Sequence, residues 1–155
     1  MKITTTGFGQ PAEVEVPEGD LITFPGGIAG FEEHNRFAVL REVELAPFVL
    51  LQSLRDAWTA FVAIDLSEVG QDYDLALAAA DEEVLGLASR KPLVLGIVRL
   101  GEKAEDATVN ALAPVVINPD RRLGRQVIRR DEGYSLAEPL FAGVESGLAT
   151  ACGKG

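Results

Sequence analysis

The chain has 155 residues, of which 47% are hydrophobic and 25% charged, and this is typical of one folded domain rather than of a disordered or fibrous chain. Twenty-four acidic against fourteen basic residues give a net charge of −10, which repels a nucleic-acid backbone and attracts a basic partner. The single cysteine and the single histidine, Cys152 and His34, exclude an internal disulfide and provide too few soft ligands for structural zinc or haem. We therefore expect a protein without a metal ion or other cofactor.

The apolar runs are too short to cross a membrane. The longest, residues 48–51 and 93–98, fall well below the roughly 20 residues that a membrane-spanning helix needs. Met1-Lys2 leads into threonines rather than into the apolar stretch of a signal peptide. The sequence therefore predicts a cytoplasmic protein.

The first half of the chain is typical of short strands separated by turns. Residues 13–16 alternate polar and apolar side chains, and Glu18-Gly19-Asp20 supplies a turn before residues 21–24, which predicts a hairpin-like start. Pro25-Gly26-Gly27 ends the second strand, because proline lacks the N–H of the ladder and glycine admits positive φ. Further strands are predicted at residues 37–43, 48–54, 60–64 and 73–77.

One segment in the second half is typical of a helix. We expect Asp81 to cap it and Val84, Leu87 and Ala88 to share one face, with Pro92 directing the chain into the next strand. Later strands are predicted at residues 93–100, 108–112, 115–117 and 125–129.

This order of elements predicts a mainly β fold, a small antiparallel β-barrel-like domain with one short helix. We assign residues 1–142 to this single domain. Residues 143–155 are rich in small side chains and are predicted to form a flexible C-terminal tail.

Motifs for catalysis are largely missing from the sequence. Gly7-Phe8-Gly9 lacks the third glycine of a dinucleotide fingerprint, and Cys152 lies in a glycine-rich segment that offers a nucleophile no rigid support. Paired carboxylates are the remaining option, so a small acidic hydrolase is one alternative function. The acids considered for such pairs are Glu32, Glu33, Asp65, Asp72 and Asp74.

A cluster of arginines suggests a second alternative, a nucleic-acid binder. Its members are Arg121, Arg122, Arg125, Arg129 and Arg130. No aromatic residue lies among them to stack on a base. We interpret them as a solvated surface of strand and turn.

The single tryptophan, Trp58, precedes the strand predicted at residues 60–64. We expect it to pack in the core or at its rim, and an interface anchor is the alternative.

Four stretches, taken in order, resemble the FliW family of flagellar assembly factors. The first is residues 22–32, with the sequence Ile-Thr-Phe-Pro-Gly-Gly-Ile-Ala-Gly-Phe-Glu. The others are Pro47-Phe48 with residues 51–53, residues 60–65 with Asp72-Tyr73, and residues 108–119 with 124–128. The resemblance extends over about residues 2–140.

This resemblance implies a function in binding. Members of the family are non-enzymatic bacterial cytoplasmic factors with a small β-barrel-like fold, and their partners are flagellin and CsrA, the carbon storage regulator that represses flagellin translation. When flagellin is exported, the freed factor binds CsrA away from its RNA surface and allosterically releases flagellin mRNA. The resemblance therefore implies a chaperone-like regulator of flagellum biogenesis with neither nucleic acid nor membrane as a direct partner.

Two groups of residues are candidates for binding the partners. We interpret the motif in residues 25–33 as serving folding, with its glycines forming turns and Ile28 and Phe31 covering the end of the barrel. The alternative is that this loop exposes Ile28 and Phe31 beside Glu32 and Glu33, forming an apolar centre with an acidic rim that faces a partner. The second group follows the strand at 60–64 and is predicted to steer a basic partner. It comprises Asp65, Glu68, Asp72 and Asp74.

Overall fold

Strands are the main secondary structure of the chain. The computed structural model describes residues 1–7, 10–42, 46–68, 79–87, 92–128 and 137–139. The first six strands are β1 (Lys2–Thr5), β2 (Ala12–Glu15), β3 (Leu21–Thr23), β4 (Arg36–Leu40), β5 (Phe48–Ser53) and β6 (Ala60–Asp65). Helix α1 (Ala79–Leu85) follows, and then β7 (Leu93–Arg99), β8 (Thr108–Asn118), β9 (Leu123–Gln126) and β10 (Glu138–Pro139).

Seven strands close into a barrel. Their order is β8-β7-β6-β5-β4-β3-β9, and β9 pairs back onto β8. Neighbouring strands are antiparallel except for β3 and β9, which meet in parallel at Thr23 and Leu123. Strand β10 pairs with the first two residues of β8, and β1 and β2 form a separate hairpin. The predicted mainly β fold, a small antiparallel β-barrel with one short helix, is confirmed.

The core lies inside the barrel and is continued on one outer face. Phe24, Phe37 and Leu51 are fully buried in the inner cluster. A second cluster forms where the β1–β2 hairpin covers the outside of β3, β4 and β5, and Val16 and Leu40 belong to it. Residues of β4 are therefore buried on both faces, and this explains why that strand is an apolar run rather than an alternating pattern.

The predicted hairpin-like start is wrong. Strand β2 pairs with β1, a strand that the sequence did not predict, and β3 pairs with β4 and β9. Strand β4 also ends at Leu40, and β9 ends at Gln126, earlier than predicted. The strand predicted at residues 73–77 lies outside the described residues.

The two strands predicted on either side of Pro114 are one strand, β8. A proline is tolerated there because the register between β7 and β8 shifts between Leu95 and Ile97, so that β8 bulges. The Asn110 Oδ1 atom accepts hydrogen bonds from the backbone N–H groups of Leu112 and Ala113, at 3.2 and 2.9 Å, and so satisfies donors within the bulge.

Helix α1 differs from its prediction in cap and buried face. It begins at Ala79, and Asp81 accepts a hydrogen bond from Arg125 Nε at 2.7 Å instead of capping the helix. Leu85 is the buried residue, whereas Val84 is 42% exposed. Gly86, with φ of 68°, ends the helix. Within the described ranges, no helix has the length and hydropathy required to cross a bilayer.

Leu85 is buried because the C-terminal end of α1 docks on the barrel. It packs against Val116 and Val127, and the buried Asn118 amide donates to the Leu85 carbonyl at 2.8 Å. Asn118 Oδ1 also accepts the N–H of Asp120 at 3.0 Å, and this bond supports the turn that follows β8.

Candidate partner-binding site

Two loops meet at one end of the barrel. The motif loop (residues 24–35) joins β3 to β4, and the Trp58 loop (residues 54–59) joins β5 to β6. Leu54 N–H donates to the Arg36 carbonyl at 3.0 Å, and His34 Nδ1 lies 2.6 Å from Ser53 Oγ. Arg55 Nη1 also donates to the Glu33 carbonyl at 3.3 Å. The two loops are therefore cross-linked into one surface.

The motif loop is held in shape by hydrogen bonds from its own backbone and from the barrel. Phe31 N–H donates to the Ile28 carbonyl at 2.6 Å, closing a tight turn. The Asn35 side-chain amide donates to the carbonyls of Phe24 and Pro25, each at 3.2 Å. From β9, Gln126 Oε1 accepts the N–H of Ala29 at 2.9 Å. These bonds favour a single conformation of the loop.

The two apolar candidates in this loop have different environments. Ile28 is 2% exposed and belongs to the barrel core, so it serves folding as interpreted, and the alternative that it is exposed is wrong. The left-handed backbone of Gly27, with φ of 66°, precedes it and directs the chain inward. Phe31 is 38% exposed and packs edge-to-face on Phe61, with ring centroids 5.0 Å apart. Phe31 therefore covers the end of the barrel while leaving part of its ring accessible.

Both carboxylates of the motif loop are exposed. Glu32 Oε2 accepts the N–H of Gly30 at 2.9 Å, and this bond, with that of its own N–H, lowers the pKa of the Glu32 carboxyl. Because the pKa is lowered on folding, the bond contributes stability at neutral pH that is lost as the pH falls through the lowered pKa. Glu33 lies 3.6 Å from Arg55 Nη2, so its charge is partly offset by an exposed ion pair.

Trp58 is 79% exposed, so the prediction that it packs in the core or at its rim is wrong. The cause is a local turn, in which Asp56 Oδ1 accepts the N–H groups of Trp58 and Thr59 at 2.9 and 2.7 Å. The hydroxyl of Thr59 donates to Asp56 Oδ2 at 3.1 Å, and it is the largest cause of the lowered pKa of Asp56. The ionised carboxylate thus organises the loop that presents the indole.

Gln52 supports the Trp58 loop from inside the fold, a role that no sequence motif predicted. Its buried side-chain amide donates to the carbonyls of Ser53, Asp56 and Thr59, at 3.0, 2.9 and 3.2 Å. Its Oε1 accepts the buried hydroxyl of Thr5. The sequence feature that could have indicated this role is a glutamine that directly follows the apolar residues of β5, because a buried amide needs several hydrogen-bond partners.

The second group of candidates does not join this surface. Strand β6 runs from the Trp58 loop towards Asp65, so Asp65 lies about 13 Å along the strand from Phe61. Asp65 Oδ1 accepts the N–H and hydroxyl of Ser67, at 2.9 and 2.7 Å, and supports the short turn Leu66–Glu68. Asp72 and Asp74 lie outside the described residues. Phe31, Glu32 and Glu33 are thus brought together, and Asp65 lies at the opposite end.

The alternative functions gain no support from the described residues. Among them, no three His, Cys, Asp or Glu side chains are grouped as a metal ion would require. Arg122 donates to the Glu18 carbonyl at 3.2 Å, and Arg125 is paired with Asp81, so two arginines of the basic cluster serve contacts within the chain. Arg129 and Arg130 lie outside the described ranges.

Fold and site together define a class of protein: a small closed β-barrel with an exposed aromatic surface on cross-linked loops at one end. The family model described as FliW protein matches residues 2–140. The chain belongs to the FliW family of flagellar assembly factors, as its resemblance predicts.

Individual relatives agree with this membership. The flagellar assembly factor FliW of Natranaerobius thermophilus is 38% identical over 143 residues, covering 91% of this chain and 93% of the relative. That of Geotalea uraniireducens is 37% identical, covering 91% of this chain and 85% of the relative. A crystal structure of the flagellar assembly factor FliW matches with a TM-score of 0.80 and 32% identity, covering 91% of this chain and 97% of that chain.

Proposed function

We propose that this chain is a non-enzymatic cytoplasmic regulator that binds flagellin and CsrA, and that it antagonises CsrA allosterically so that flagellin mRNA is translated. Membership of the FliW family over residues 2–140 is the observation that carries the proposal. The net charge of −10 supports it, since an acidic protein attracts a basic RNA-binding partner and repels RNA itself. A cytoplasmic location follows from the proposal, because flagellin mRNA and newly made flagellin are both present there.

Co-purification followed by light scattering tests the partner assignment. The chain is mixed separately with CsrA and with flagellin of the same organism, and we expect a stable complex in each case. When all three proteins are combined, flagellin should displace CsrA from the chain. Absence of both complexes at micromolar concentrations would refute the assignment of partners.

An RNA titration tests the allosteric part of the proposal. CsrA is titrated with flagellin mRNA at rising concentrations of the chain. An allosteric antagonist lowers the RNA affinity to a plateau set by the coupling between the two sites. A decline that continues without a plateau would show instead that the chain competes directly for the RNA surface.

Phe31 is the first residue of the motif loop to test. We expect Phe31→Ala to weaken partner binding about tenfold or more, because exposed aromatic residues are frequent anchors of interfaces. The expected loss of stability is smaller, about 1–2 kcal/mol, since the ring is only partly buried against Phe61. Calorimetric titration and thermal unfolding measure the two effects. Phe37→Leu, in the buried core, is the control that should lower stability but preserve affinity.

The opposite result for Phe31→Ala would overturn its assignment. A large loss of stability with unchanged affinity would show that the aromatic ring serves folding alone.

The second group of acids is proposed to steer the partner. The variant Glu68→Gln/Asp72→Asn/Asp74→Asn should slow association with CsrA several-fold at low salt and reduce its salt dependence, because long-range attraction acts mainly on the association rate. Asp65 is retained because it supports the turn at Ser67. Stopped-flow kinetics at two salt concentrations measures the effect.

A control removes the same charge elsewhere, from the exposed Glu13, Glu18 and Glu42. Equal slowing by both variants would indicate that only net charge matters. An unchanged association rate in the first variant would refute steering by this group.

A further inference from the structure

Exposed apolar side chains are concentrated at one end of the barrel. Of the six large hydrophobic residues that are exposed in the described ranges, four lie there. Trp58 is 79% exposed, Ile128 74%, Leu100 67% and Phe31 38%. They belong to the loops after β3, β5 and β7 and to the segment after β9, which the strand directions place at the same end. Single exposed apolar residues are ordinary, but their concentration at one end is typical of an interface.

Trp58 combines the greatest exposure of these four side chains with a backbone that is ordered in advance. Asp56 holds the N–H groups on either side of the Trp58 Cα, and Gln52 holds the carbonyls that flank the turn. Directly after β1, the Thr6 N–H and hydroxyl both donate to the Ala57 carbonyl, at 3.1 and 2.7 Å. A residue ordered before binding loses less conformational entropy in the complex, and this favours its use as an anchor.

The charges around this end indicate the chemistry of the partner. The three loops carry more acidic than basic residues. The acidic residues are Glu32, Glu33, Asp56, Glu102, Glu105 and Asp106, and the basic residues are Arg55 and Lys103, with Arg36 and Arg99 on the adjoining strands β4 and β7. An indole face also attracts cations. This combination complements a protein surface on which basic side chains surround an apolar recess.

We propose that Trp58 is the anchor of the partner interface, inserting its indole into an apolar recess rimmed by basic side chains on the partner protein. Asp56 is the positioning residue that presents the indole. This inference rests on the proposed function and deepens it, since it assigns the binding surface to the end of the barrel formed by the motif loop and the Trp58 loop.

Fluorine NMR provides a direct test, because Trp58 is the only tryptophan in the chain. The full chain is labelled with 5-fluorotryptophan and titrated with unlabelled CsrA and, separately, with unlabelled flagellin. In the complex with a partner that covers Trp58, we expect the fluorine resonance to shift. We also expect its chemical shift to become the same in H2O and D2O, because the label is then shielded from solvent. We also expect Trp58→Ala to weaken that complex at least tenfold, and Trp58→Phe to weaken it less.

The stability controls separate anchoring from folding. Trp58→Ala should leave the melting temperature nearly unchanged, since the indole is exposed. Val84→Ala, an exposed apolar position on α1, should leave affinity unchanged. Asp56→Ala should weaken binding in the native chain but have no further effect in the Trp58→Ala background, as expected if Asp56 acts through the indole.

The possible failures are distinguishable. If the unmodified chain binds neither protein, the proposed function fails and the anchor fails with it. If the unmodified chain binds a partner, but its fluorine resonance does not shift and Trp58→Ala binds as tightly as the unmodified chain, only the assignment of Trp58 as the anchor is refuted. Light scattering also shows whether the chain forms a dimer by itself. If it does, and Trp58→Ala dissociates that dimer, the indole is covered by a second copy of the chain and the proposed partner chemistry is wrong.

Discussion

Gly27→Ala is expected to destabilise the chain by about 3 kcal/mol or more, whereas Gly30→Ala should cost only about 1–2 kcal/mol. Both glycines have positive φ, 66° and 84°, so alanine at either position would hold a strained left-handed backbone. At Gly27 an added Cβ would also lie 2.6 Å from Glu32 Cα and 2.7 Å from the Phe31 carbonyl oxygen. These are backbone atoms of a hydrogen-bonded loop, so they cannot move aside cheaply. An added Cβ at Gly30 would have no heavy atom within 4 Å apart from those of the two adjacent residues.

Urea unfolding of the two variants measures this difference. Gly30→Ala is the matched control, since it carries the backbone strain without the collision. Equal losses in the two variants would show that the motif loop rearranges easily and that its close packing is unimportant. We also expect Gly27→Ala to reduce partner binding, because the collision involves the residue next to Phe31.

Gln52→Ala is expected to cost about 3 kcal/mol, because it removes two buried and two partly buried hydrogen bonds, each worth about 1 kcal/mol, although the Thr59 carbonyl keeps the Ser53 N–H at 2.9 Å. The affected groups are the Thr5 hydroxyl and the carbonyls of Ser53, Asp56 and Thr59. We further expect the Trp58 loop to become more mobile. This mobility should reduce the linewidth of the fluorine resonance in the chain labelled with 5-fluorotryptophan.

Gln126→Ala is the matched control for this substitution. Its amide makes two hydrogen bonds, with Ala29 and Ala113, but it is only partly buried, so water replaces the lost partner and the expected cost is about 1 kcal/mol. Thermal and urea unfolding provide the comparison. A loss for Gln52→Ala no larger than that for Gln126→Ala would contradict the supporting role of Gln52.

The candidate site was partly predictable from the sequence. The glycines and proline of the motif loop predict its turns, and Phe31, Glu32 and Glu33 are exposed as expected. Ile28 shares the same loop but points into the barrel, which depends on the position of the strands around it. The role of Gln52 was not predictable, because it requires the approach of Thr5, which lies 47 residues away along the chain.

The sequence by itself determined the mainly β class, most strand positions and the family, because alternation, turn residues and motif order depend only on near neighbours in the chain. Only the tertiary structure decided that the barrel closes through β8 and β9, and that Asp65 and Phe31 lie at opposite ends. It also decided that Trp58 is exposed. The physical reason is that burial and strand pairing are set by partners distant in sequence, such as Ala29 and Gln126, which are 97 residues apart.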